Sequence, residues 1–139
     1  MKVKKISFTV LTSLVFIFFI QTQSFSQGTD SNERWLAPES AKEISNPIES
    51  NKSSIKKGAA IFKTRCTVCH GNEGHGDGPG GKALNPKPAD FSKDKVQNQT
   101  DGEIFWKITN GKGAMIKWES ILSEEERWQL VNYVRSLKE

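Results

Sequence analysis

The five residues Cys66-Thr67-Val68-Cys69-His70 constrain this chain more than any other feature, because C-x-x-C-H is the pattern by which a polypeptide holds haem covalently. Two cysteines at this spacing near the end of a helix can reach both vinyl groups of one porphyrin, and the adjacent imidazole then lies beneath the iron. Other uses of the same residues fit less well. Structural zinc takes four ligands in two separated pairs, whereas the chain holds 2 cysteines and 2 histidines, with His70 and His75 close together. A thioredoxin-type redox pair sits at the start of a helix after a strand and needs no neighbouring histidine. No strand-like run precedes Cys66. A disulfide at this spacing closes a small strained loop that stabilises little.

Haem attachment of this kind requires export, and the N-terminus predicts it. Met1-Lys2-Val3-Lys4-Lys5 is a basic n-region, and Ile6 to Ile20 is an apolar h-region shorter than the ~20 residues that span a bilayer. Ser24-Phe25-Ser26 then offers small residues at the positions a signal peptidase reads. The expectation is a signal peptide over 1–26, cleaved after Ser26, and a periplasmic product that touches a membrane only if the signal is retained. No cysteine near that point suggests a lipid anchor. The chain carries 20 basic and 16 acidic residues, but Lys2, Lys4 and Lys5 leave with the signal. The exported part is close to neutral, with no basic cluster interleaved with aromatics, which excludes nucleic acid as a partner.

Residues 27–53 are polar and punctuated by Pro38 and Pro47, so they read as an extended arm. Trp35 and Leu36 are its only large apolar pair and are candidates to dock on the domain. The rest, 54–139, is close to the size at which a core needs help, and a buried porphyrin would supply it. Ser54 can cap a first helix with apolar face Ile55, Ala59 and Phe62, running into Cys66. Gly58 weakens that helix by ~1 kcal/mol, which implies a close neighbour there. Thr100-Asp101-Gly102-Glu103 is a capping box for a second helix through Ile104, Phe105 and Ile108, stopped by Asn110-Gly111. Ser123-Glu124-Glu125-Glu126 is another, opening a third with Leu130, Val131, Val134 and Leu137 on one stripe. No region alternates as a strand does, so the predicted fold class is all-α.

Besides the initiator, Met115 is the only methionine. It follows the Gly-rich run Asn110-Gly111-Lys112-Gly113-Ala114, and it is either a sixth iron ligand or, in the commoner role of a lone methionine, the filler of a core gap. His75 is the rival ligand and would give bis-histidine coordination. Its other reading is a solvent-facing loop histidine. Gly76-Asp77-Gly78-Pro79-Gly80-Gly81 satisfies G-x-G-x-x-G, but it follows no strand and abuts the haem motif, so a nucleotide fingerprint is rejected. Trp106 and Trp118 read as core or haem-wall aromatics, either of whose indoles could bond a propionate.

From Trp35 onward the chain resembles a class I, single-haem cytochrome c, in particular the small exported bacterial form with a Trp- and Pro-containing arm. The likeness rests on C-x-x-C-H-G, the Gly-rich loop, the lone late methionine and the capped last helix. It implies three main helices around one covalently attached haem, with long irregular loops. Gly58 and Phe62 on the first helix would cross Leu130 and Tyr133 on the last, nearly at right angles. The resemblance also places the distal ligand at Met115, although such proteins usually follow it with proline where this chain has Ile116. It further implies that a proline carbonyl in Asn85-Pro86-Lys87-Pro88-Ala89-Asp90-Phe91, Pro86 or Pro88, accepts the proton of His70's other ring nitrogen.

The function implied is periplasmic electron transfer through one haem c per chain with His/Met ligation, as a soluble carrier or an electron-transfer subunit of a redox complex. Its partners would be other redox proteins, with no small-molecule substrate. The competing class is a haem enzyme, or a peroxide- or gas-binding protein, that opens the iron by releasing Met115.

Overall fold

Among the residues described by the computed structural model, 35–139, the elements in chain order are α1 (Glu39–Lys42), α2 (Lys52–Arg65), α3 (Thr67–His70), α4 (Asp94–Gln97), α5 (Asp101–Asn110), a 3-10 turn (Trp118–Ser120) and α6 (Glu124–Ser136). The one β pairing among these residues is an isolated bridge between Lys112 and Met115. The fold is all-α, with three long helices in the expected order, two of them starting at the expected caps Thr100 and Ser123. The expected signal peptide, 1–26, lies outside the described residues.

Each long helix starts on a reciprocal side-chain cap. Thr100 Oγ1 accepts the Glu103 amide at 3.2 Å while Glu103 accepts the Thr100 amide at 2.7 Å, and Ser123 and Glu126 do the same for α6. The start of α2 differs from expectation. Its cap is Asn51, whose Oδ1 accepts the amides of Ser53 and Ser54, both at 3.0 Å. Ser54 supplies the return half of the box by accepting the Asn51 amide at 3.1 Å. Asparagine satisfies orphan amides as well as a hydroxyl does, so the polar run before Ile55 held two acceptable caps and the upstream one forms.

α2 and α6 cross at Gly58, where a Cβ would overlap the Gln129 carbonyl oxygen and lie 2.9 Å from Tyr133 Cβ. The contact is thus backbone on backbone, tighter than the side-chain contact expected with Leu130. One turn on, the rings of Phe62 and Tyr133 stand 5.0 Å apart, and Phe62, Leu130 and Val131 are almost wholly buried. Gly58→Ala should therefore destabilise. The ~1 kcal/mol that alanine gains in helix propensity is outweighed by about 1–3 kcal/mol of overpacking against backbone that cannot rotate away. Denaturant unfolding measures the sign, and a stabilised variant would contradict the close crossing.

Of the extended arm expected over 27–53, the part described from Trp35 onward packs against the helices. The compact unit begins at Arg34, and Ala37 and Ala41 are buried. Trp35 docks as expected, its ring 6.4 Å from that of Trp106, whereas Leu36 is 64% exposed. Asn132 on α6 ties the end of this segment down: its Oδ1 accepts Asn46 Nδ2 at 2.8 Å, and its Nδ2 donates to the Ile48 carbonyl at 3.1 Å. Short contacts of this kind leave no periodicity, so composition showed only an extended arm with one candidate docking pair. One turn further along α6, Arg135 Nε donates to Asp101 Oδ1 at 2.7 Å and Nη1 to the Gln97 carbonyl at 2.8 Å, which fixes the entry to α5.

Candidate functional site

Cys66 closes α2 and opens α3, so the end of the first long helix delivers both cysteines and His70 within one further turn. Both thiols are free, and the disulfide reading is not realised. Burial, with the neighbouring Cys69 adding to it, pushes the Cys66 thiol up to about 12. Val68, between the cysteines, points outward and is 57% exposed.

The following glycine run folds back over this turn. The amides of Gly76, Gly78 and Gly80 donate to the carbonyls of His70, Cys69 and Val68 at 2.8, 3.2 and 2.8 Å. A Cβ on Gly78 would lie 2.6 Å from the carbonyl oxygens of Thr67 and Val68, and one on Gly81 would lie 2.5 Å from that of Cys69. Glycine is used here because backbone must lie directly on backbone. The G-x-G-x-x-G match therefore has a structural job that the sequence did not reveal: it clasps the attachment motif.

His70 is held in the form a metal ligand needs. Its Nδ1 lies 3.3 Å from the Ala89 carbonyl, to which it donates, and its ring stacks on Phe91 at 4.4 Å and 19°. Burial lowers its pKa, with the Ala89 bond opposing, so the imidazole is neutral at pH 7 and its Nε2 lone pair is available. The acceptor in this structure is the carbonyl one residue after Pro88, where the expectation named Pro86 or Pro88. Pro88 is instead spent on packing, with its ring 2.6 Å from where a Gly81 Cβ would be and its carbonyl oxygen against Gly76. That leaves the next carbonyl to face His70. Ala89 and Phe91 were not singled out from sequence, and an aromatic three residues after a proline was the only available signal for the second of them.

His75, the rival ligand, lies with Nδ1 3.3 Å from Asp90 Oδ1. The same oxygen accepts the Ser92 amide at 3.0 Å and its hydroxyl at 2.8 Å. Burial works to raise the Asp90 carboxyl, but the bonds from Ser92 and His75 outweigh it and hold the group below the usual carboxylate range.

Met115 sits half-buried against the main core, as does Cys66. Its loop turns at Gly111 and Gly113, both with positive φ (60° and 59°), and closes through the Met115 amide on the Lys112 carbonyl at 3.0 Å. Ile116 is 52% exposed. Trp118 is buried in the same core, and the half-buried Trp106 ring meets that of Trp35. Two free thiols, an imidazole oriented through Nδ1, and a thioether packed against the same apolar core as Cys66 are the donor set a covalently held haem needs, and the residues present fit that group.

A family model described as cytochrome c oxidase, cbb3-type, subunit III matches residues 53–134. The chain is similar to cytochrome c6 of Euglena gracilis, 35% identical over 82 residues that are 55% of this chain and 85% of that one. It is also similar to cytochrome c6 of Euglena viridis, 32% identical over 84 residues, 57% of this chain and 87% of that one. Among solved structures it resembles a chain of a reducing HAO-like protein complex from Kuenenia stuttgartiensis, at TM-score 0.61 and 30% identity. That match covers 69% of this chain and 50% of the other, so the chain spans half the length of that structural relative.

Proposed function

The chain belongs to the c-type cytochrome family described as cytochrome c oxidase, cbb3-type, subunit III, and on that premise we propose that it carries single electrons through one haem c in the periplasm. Cys66 and Cys69 would hold the porphyrin as thioethers, and His70 and Met115 would be the axial ligands. The observation that carries this reading is the state of His70, which is neutral, stacked on Phe91 and oriented by the Ala89 carbonyl so that one nitrogen is free. When bound, the haem supplies a reversible ferrous/ferric couple, and a thioether ligand raises its potential relative to two nitrogen ligands.

The protein's own part is to hold both ligands still and to exclude water. Phe91 and the Ala89 carbonyl prevent His70 from rotating, and the glycine clasp fixes the backbone from Val68 to His70. Partners would be redox proteins that meet the domain in brief encounters, whether it works as a free carrier or as a subunit. The structural relative, itself a chain of a protein complex, keeps the second arrangement in view. Among the described residues no helix is long and apolar enough to cross a membrane, and the periplasmic assignment rests on the signal-like segment 1–26.

The second reading, peroxide or gas binding at an iron that Met115 vacates, draws on one observation: among the described residues nothing lies within 4 Å of where a Cβ on Gly113 would be. Absorption and electron paramagnetic resonance spectra of the exported protein decide between the two. A carrier gives low-spin, six-coordinate iron in both redox states, with one haem per chain by mass. A high-spin resting ferric form would favour the vacated site, and a haem-free product would refute both.

A further inference from the structure

Gly102 stands in the first turn of α5, where glycine costs the helix ~1 kcal/mol against alanine. The reason is the segment before α2: a Cβ on Gly102 would overlap the Ala41 carbonyl oxygen and lie 2.7 Å from that of Ile44. Further along the same helix, the Trp35 ring meets Trp106 at 6.4 Å, and Lys107 Nζ stands 5.7 Å from the Trp35 centroid. Residues 35–44 thus touch α5 at two places, its first turn and its middle. On its other side, Ile104 and Ile108 are buried in the core.

The gripped residues also hold the loop that carries Met115. The Trp106 carbonyl accepts Asn110 Nδ2 at 2.8 Å, and the Lys107 carbonyl accepts the Gly111 amide at 2.9 Å. Gly111 in turn lies against the Met115 carbonyl, since a Cβ there would overlap that oxygen and come within 2.7 Å of the Ile116 carbonyl. A contiguous path therefore runs from Trp35 through Trp106 and Lys107 to Gly111 and Met115. The far side of the loop lacks such support, because Ile116 is exposed and Gly113 borders open space.

We infer that residues 35–44 are a positioning element for Met115: by clamping α5 from behind they set how firmly the thioether is presented to the iron. The inference rests on His70/Met115 ligation. Met115 would leave the iron more often when the clamp is loosened, and an external ligand would take its place more readily.

Imidazole titration of the ferric holoprotein, followed through the weak red band that sulfur gives on ferric iron, tests this. Trp35→Ala should raise the apparent imidazole affinity about tenfold, in proportion to the larger open population, whereas Trp35→Phe should stay within about twofold of the parent. Gly102→Ala, which forces Ala41 off the helix, should shift affinity in the same direction as Trp35→Ala. Val131→Ala, a core change on α6, outside both residues 35–44 and the Met115 loop, serves as the stability control. A rise in imidazole affinity in Val131→Ala matching that in Trp35→Ala would overturn the inference, because general loosening would then explain both. So would unchanged affinity in Trp35→Ala and Gly102→Ala with the red band intact. A parent protein without the band would overturn the Met115 reading, and this inference with it.

Discussion

Cys66→Ser combined with Cys69→Ser, exported with the rest of the chain unchanged, is expected to yield little folded protein. The compact unit, Arg34–Glu139, is small for an independent core. Its helices place Phe62, Ile104, Ile108, Leu130 and Val134 around a shared apolar centre, and the porphyrin would present two apolar faces to that centre. A group that binds only the folded state stabilises it by mass action, on the order of several kcal/mol when binding is tight, and a covalent bond makes the gain permanent. Circular dichroism and thermal melting of the double variant measure the loss. Equal helix content and an unchanged melt would mean that the protein chain alone builds the core.

Met115→Ala is expected to abolish the red sulfur-to-iron band and to lower the reduction potential by on the order of 200 mV, within the ~0.8 V range that axial ligands command. The fold should survive, because Met115 is only half-buried and its loop closes through backbone contacts at Lys112 and Gly111. The iron would become high-spin and open to added ligands. A band that persists would remove Met115 from the coordination sphere and return attention to His75, whose ring now lies beside Asp90.

The parts of this molecule that could be read from its sequence are those written in local, periodic or motif form. The boxes at Thr100 and Ser123, the stripe Leu130, Val131 and Val134, and the C-x-x-C-H motif all depend on neighbours within a turn or two, and all appear where the sequence put them. The helix-weakening Gly58 was also legible, because an unfavourable residue inside a strong helix signals an outside contact. What stayed hidden depends on distant backbone. The Ala89 carbonyl faces His70 only because Pro88 is taken up against Gly76 and Gly81, and no property of alanine announces that. The clasp by Gly76, Gly78 and Gly80 likewise looks like a loose loop in sequence, since the same residues that permit disorder also permit the closest packing. The docking of Ala37 and Ala41 leaves no hydrophobic period at all, and α1, α3 and α4 are too short to show one.

The glycine clasp bears on speed as well as on shape. With the carbonyls of Val68, Cys69 and His70 all engaged by amides of the folded-back loop, and His70 held on a second side by Ala89 and Phe91, the proximal half of the site has little room to relax when the charge on the iron changes. The energy needed to rearrange nuclei before an electron can move is correspondingly small on that side. With Met115 as the second ligand, as proposed, whatever rearrangement accompanies each transfer would fall to the loop between Gly111 and Ile116.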